Sequence, residues 1–139
     1  VLPVQLNDEV VIYRIARNKA VEVLSQGRLS AGEAQRIKDE PAYANIAELG
    51  FGVLKDFGLG PVGVTLLDEK LGLHIAFGRS DHFGGAVGVK DFSSPAAVIH
   101  IDRIYIPETA PRIQVDLVRL SMPDGGTLNI MRDGRYTIF

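Results

Sequence analysis

Four residues in this chain have the chemistry and the spacing of a metal site. His100 and Asp102 form an H-x-D pair inside the apolar run from Ala97 to Ile106. Side chains on a strand alternate between its two faces, so the pair points one way, about 7 Å apart. Ile99, Ile101, Arg103 and Tyr105 fall on the other face. In Leu71 to Gly78, Leu73, Ile75 and Phe77 share one face, while His74 and Ala76 lie on the other with Gly72 and Gly78. In Ala47 to Val53, Ala47, Leu49, Phe51 and Val53 share a face, and Glu48 lies opposite, followed by Gly50 and Gly52. Carboxylates on the inner face of a sheet are costly unless paired or bound to metal. The small neighbours leave room for an ion and a substrate. Two histidines with two carboxylates suit zinc, cobalt or manganese, one or two ions. The four groups converge only if the three strands are neighbours in one sheet.

Other candidates are weaker. His82 follows Asp81 in the segment Ser80 to Gly85, a loop by its composition. Loops carry function often, although solvent exposure is the commoner reason for a histidine there. The Gly84-Gly85 pair has neither the lysine of a phosphate-binding loop nor a dinucleotide spacing, and is read as loop geometry. Asp68-Glu69-Lys70 reads as a solvated charge run. No G-x-S-x-G elbow is present, which leaves a serine-nucleophile hydrolase unsupported.

The elements that must position these groups follow from pattern and punctuation. Glu9 to Ala16 reads as a strand. A second strand around Ala20 to Leu24 follows, or a helix begins near Arg17. Ser30-Ala31-Gly32-Glu33 has capping-box spacing, which predicts a helix from Ala31 to Glu40 ahead of Pro41. Residues 55–63 form a loop, Val64 to Lys70 reads either way, and 79–95 is a long irregular connection. Arg112 to Leu120 and Thr127 to Met131 are further strands, with turns at Asp124-Gly125-Gly126 and Asp133-Gly134. The count is six to eight strands and one or two helices. This predicts a single α+β domain over residues 1–139, with a mixed or mostly antiparallel sheet.

Composition narrows the function. The 139 residues carry 15 Lys and Arg against 17 Asp and Glu, a net charge of -2, so a nucleic-acid partner is not expected. No basic run suggests a membrane surface, and no stretch reaches the ~20 apolar residues of a transmembrane helix. With no secretory signal either, a cytoplasmic location is expected. The absence of cysteine removes disulfides, thiolate catalysis and Cys-type zinc sites.

Taken in order, the motifs resemble those of the thermophilic metallo-aminopeptidases, the aminopeptidase T family. Ala44-Asn45-Ile46-Ala47-Glu48-Leu49-Gly50-Phe51-Gly52 is similar to the segment that supplies that family a glutamate ligand. Asp68 to Gly78 is similar to its D-E-K-x-x-G-x-x-H-I-A-x-G block with one residue fewer before the histidine, and Phe83-Gly84-Gly85 to the glycine pair that follows. Val98-Ile99-His100-Ile101-Asp102 resembles its H-x-D strand, and Ile130 to Tyr136 its closing hairpin. The resemblance spans roughly residues 44–136 and implies the C-terminal, metal-bearing part of such an enzyme. It implies two divalent ions held by two glutamates, two histidines and an aspartate, four of which match Glu48, His74, His100 and Asp102. A peptide substrate and a homodimer are expected with it. The family's first glutamate has no matching motif here, since Glu9 and Glu22 stand in other contexts. Asp81 replaces the family's tyrosine, with His82 beside it, and these two are the candidate catalytic or substitute-ligand groups. Two functions therefore stand open: a metal-dependent aminopeptidase, or a non-catalytic stand-alone relative acting as a metal-binding or assembly module.

Overall fold

The structure is a computed structural model and describes residues 1–138. It is α+β, with three small antiparallel sheets and two helices. The first sheet comprises β1 (Leu2–Leu6), β2 (Glu9–Ala16) and β3 (Lys19–Val23), in that order. The long helix α1 (Arg28–Asp39) follows. The second sheet is formed by β4 (Ile46–Phe51), β5 (Leu73–Gly78) and β6 (His100–Ile104), with β5 central. A one-turn helix, α2 (Thr65–Asp68), precedes β5. The third sheet is the C-terminal meander of β7 (Leu117–Ser121), β8 (Thr127–Arg132) and β9 (Arg135–Tyr136). Among the described residues no helix is long and apolar enough to cross a membrane.

The region after Ala16 is a strand, not a helix. Arg17 and Asn18 both adopt positive φ, 49° and 61°, as a type I′ turn requires, and the chain returns as β3. β1 went unread in the sequence because Pro3 interrupts it; as an edge strand it tolerates proline.

α1 and the back of the second sheet meet the first sheet in one buried cluster, where Tyr13 touches both Glu33 of α1 and Phe77 of β5. Val4, Val11, Tyr13, Ala20, Tyr43, Ala44 and Phe77 form the buried cluster, with Ile46, Ile99 and Ile101 against it. Phe77 lies between the rings of Tyr13 and Tyr43, at centroid distances of 5.2 and 5.7 Å. Both hydroxyls donate to one carboxylate oxygen of Glu33, at 2.6 and 2.5 Å. Burial, above all, pushes both phenols up, so each keeps its proton for that bond.

This overturns the capping box. Glu33 faces the core, and Ser30 lies inside the helix rather than at its N-cap, which is Gly27. The cap comes from another element: the Glu9 carboxylate accepts from the backbone N–H of Leu29 (3.0 Å) and Ser30 (2.7 Å) and from Ser30 Oγ (2.5 Å). A carboxylate there satisfies orphan first-turn amides and complements the helix dipole. The hydrogen bonds from Ser30 hold the Glu9 carboxyl below its usual value. A depressed folded-state pKa stabilises above the unfolded value, about 4.3 for Glu, and that contribution disappears as pH falls through the folded value. Glu9→Gln is therefore expected to lower Tm at neutral pH. The gap from wild type should close below about pH 4 in thermal melts followed by circular dichroism; a pH-independent gap would show that the charge is irrelevant.

Candidate metal centre

The three strands carrying the candidate ligands are neighbours in one sheet. Glu48 pairs with Ala76, and Ala76 pairs with Asp102, so two carboxylates flank an alanine in a single row. In the adjacent rows His74 lies opposite Gly50 and Ile104, and Gly78 lies opposite His100. Between β5 and β6 the bonded rows are the odd residues of β6: Tyr105 N–H donates to Leu73 O, and Arg79 N–H to Ile99 O. The rows of His100, Asp102 and Ile104 are thus the non-hydrogen-bonded ones, where facing side chains stand closest.

A bulge aims Glu48. Strict alternation would put Ile46 and Glu48 on the same face. The register shifts between them, so Ile46 pairs with Phe77 and packs on the core while Glu48 turns to the opposite face. Re-aiming one side chain is what a bulge does beside a site.

The two imidazoles are oriented by backbone. His74 Nδ1 lies 3.1 Å from Gly72 O, and His100 Nδ1 lies 2.7 Å from Arg79 O. A carbonyl only accepts, so each Nδ1 carries the proton and donates, and Nε2 faces inward. Both Nε2 atoms approach the same carboxylate, His74 to Glu48 Oε1 and His100 to Glu48 Oε2, each at 3.3 Å. A neutral ring of this tautomer offers a lone pair to a carboxylate oxygen. Two acceptors face one another favourably only with a cation between them, either a ring proton or a metal ion. Asp102 Oδ1 has the same demand: it is buried and has no hydrogen-bond partner, with His100 Nε2 at 3.7 Å.

Glu69 is the group that sequence reasoning missed. Asp68 and Glu69 are buried, so the charge run is not solvated. Asp68 accepts from the N–H groups of Val62 (2.8 Å) and Gly63 (2.9 Å), which folds the preceding loop onto α2. Glu69, in the turn after α2, lies over the face of the second sheet beside His74 and Asp102, with Lys70 paired to it. Gly52 allows this approach, since a Cβ there would sit 2.3 Å from the Glu69 carbonyl oxygen. The available signal was Leu71, an apolar residue directly after the run that is buried in the structure.

Two ligand trios result. Glu48, His100 and Asp102 form one, and Glu69, His74 and Asp102 the other, each with its ligand atoms within 4.8 Å of one another. Ligands on one zinc-like ion at about 2.1 Å lie at most about 4.2 Å apart, so small side-chain rotations close either trio. The shared Asp102 has its carboxyl pushed up, by burial first and then by the charge of Glu69. Burial also pushes Glu69 upward, but the hydrogen bonds from Lys70 and Asp102 outweigh it and hold that carboxyl low. The oxygen- and nitrogen-donor set fits a borderline divalent cation.

Asp81 and His82 lie beside the trios, not in them. Asp81 is exposed and held by Arg79 Nε at 2.5 Å, which keeps its carboxyl below the usual range. The ring of His82 meets that of His100 edge-on at 4.9 Å. Comparison of the chain with family models, with curated proteins and with solved structures finds no match.

Gly50 supplies a direct test of the centre. A Cβ there would lie 1.9 Å from His74 Nε2, so Gly50→Ala must displace the ring. The variant is expected to keep its circular dichroism spectrum and lose about 10–100-fold in affinity for zinc or manganese by calorimetry. Unchanged affinity would remove His74 from the ligand set.

Proposed function

We propose that the chain is a metal-dependent, aminopeptidase-like hydrolase of peptide amide bonds, built around two adjacent divalent ions. One observation carries the reading: two three-residue ligand groups share Asp102, with both Nε2 atoms directed at the Glu48 carboxylate. The resemblance to the aminopeptidase T family supports it. Glu48, Glu69, His74, His100 and Asp102 have the composition of that family's ligand set, with Glu69 taking the place of the glutamate for which no motif is found.

Zinc, cobalt or manganese, when bound, would lower the pKa of a coordinated water and polarise the scissile carbonyl. The chain's own residues do the rest. Gly72 O and Arg79 O hold the two rings with Nε2 inward. Lys70, paired with Glu69, offsets the charge of the crowded carboxylates. Asp81 is occupied by Arg79, so His82, ring edge against His100, is the group placed to accept and return a proton.

Elemental analysis after stripping and reloading with zinc, cobalt or manganese is expected to find two ions per chain. Glu69→Gln should retain one, and Asp102→Asn should weaken both. Hydrolysis of leucine amide by the loaded protein should stop with chelator. Absence of bound metal in the wild type would refute the reading.

A second reading, a non-catalytic assembly module of the same ancestry, rests on a different observation. Phe57, Leu59, Val62, Val64, Leu66 and Leu67 are all more than half exposed within a short stretch of chain. Contiguous exposed apolar surface marks interaction sites. On this reading sedimentation equilibrium shows a dimer at micromolar concentration that Leu66→Glu dissociates. A monomer throughout would remove its support.

A further inference from the structure

Arg103 has no role in the centre just described, yet its setting is unusual. It follows Asp102 on β6, and its side chain starts from the opposite face. Its Nε is buried without an acceptor. The guanidinium makes one hydrogen bond, Nη2 to Tyr43 Oη at 3.4 Å, and forms no ion pair among the described residues. Glu33 reaches it only through the Tyr43 hydroxyl and has a cation of its own in Arg36, at 3.5 Å. A guanidinium nitrogen buried without an acceptor is costly, and the planar fork suits an oxyanion.

Arg103 lines a cavity of about 230 Å³ at the free edge of β6. Val4 and Gln5 of β1 form its far side, and Thr65, Thr109 and Asp102 also contribute. At about 30 Å³ per water, that space holds roughly eight waters or one small acid. Asp102 belongs both to the lining of this cavity and to the ligand trios. Asp68 also contributes a carboxylate to the lining, but both its oxygens are engaged by backbone N–H groups. The remaining negative charge is that of Asp102, which bound cations would offset.

We propose that Arg103 recognises a carboxylate in this cavity, and that the carboxylate is the free C-terminus of a short peptide whose scissile amide lies toward Asp102. The proposal rests on the hydrolase reading and narrows it to dipeptides and tripeptides. Asp102 and Arg103 both line a space of about 230 Å³, which suits a short peptide with its C-terminus on Arg103 better than a long one. A free oxyanion shares the chemistry and is separated by experiment.

The test compares Leu-Gly with its C-terminal amide on the manganese-loaded protein. Affinity is read by calorimetry, or as KM where turnover occurs. A charge-assisted bond predicts that the acid binds about tenfold or more tightly than the amide. The ratio should fall within about twofold of unity in Arg103→Met and partly recover in Arg103→Lys. Equal affinity for acid and amide in the wild type overturns the proposal. So does saturable binding of acetate or phosphate that needs Arg103 while acid and amide stay equal, which would make this a free-oxyanion site. Should Arg103→Met fail to fold, the wild-type ratio and Arg103→Lys decide. An acid preference that persists in protein shown by elemental analysis to bind no metal would sink the metal centre and leave the Arg103 site standing.

Discussion

A slip of one residue between β5 and β6 would turn His74 and Ala76 away from His100 and Asp102 and bury the charges in the core. The register of the second sheet is thus the constraint on which the rest depends. Pleated strands send alternate side chains to opposite faces, so one pairing decides both what fills the core and what lines the site. Phe77, Ile99 and Ile101 go to the back, against Tyr13 and Tyr43. Glu48, His74, His100 and Asp102 go to the front. The core therefore favours the site, because a one-residue slip would take Phe77 out of its contacts with Tyr13 and Tyr43.

The front face carries three carboxylates and two imidazoles at short range, which would repel without countercharge. The structure meets this locally. Backbone carbonyls take the Nδ1 protons, Lys70 pairs with Glu69, and Asp102 is held toward its neutral form by burial and by Glu69. A divalent ion would supply the countercharge and satisfy the orphaned oxygen of Asp102. The glycines serve the same face. Gly50 gives the His74 ring its space, and Gly52 lets the Glu69 turn settle on the sheet.

The same logic separates the two sides of β6. Asp102 and Arg103 are consecutive, and the pleat sends one to the candidate ligand trios and the other toward Tyr43. A small cavity wraps the strand's free edge and touches both.

Much of this was legible from the chain. Two-residue periodicity is local, so the shared face of His100 and Asp102, and of His74 with Ala76, followed directly from order. The α+β class and the turn at Asp133-Gly134 came from the same reasoning. Local rules failed where the partner was distant in sequence. Ser30 and Glu33 have the spacing of a cap, but Glu9, about twenty residues earlier, takes the amides, and the core tyrosines claim Glu33. Glu69 looked solvated because its burial comes from Gly52 and the sheet beneath, not from its neighbours in the chain. Ile46 and Glu48 parted only through a bulge that pairing imposes. The sequence by itself determined which residues alternate and which chemistry they carry, because those depend on bond geometry and side-chain type. Strand order, the bulge and the burial of Glu69 and Arg103 were decided by tertiary structure, because they depend on contacts between segments far apart in the chain.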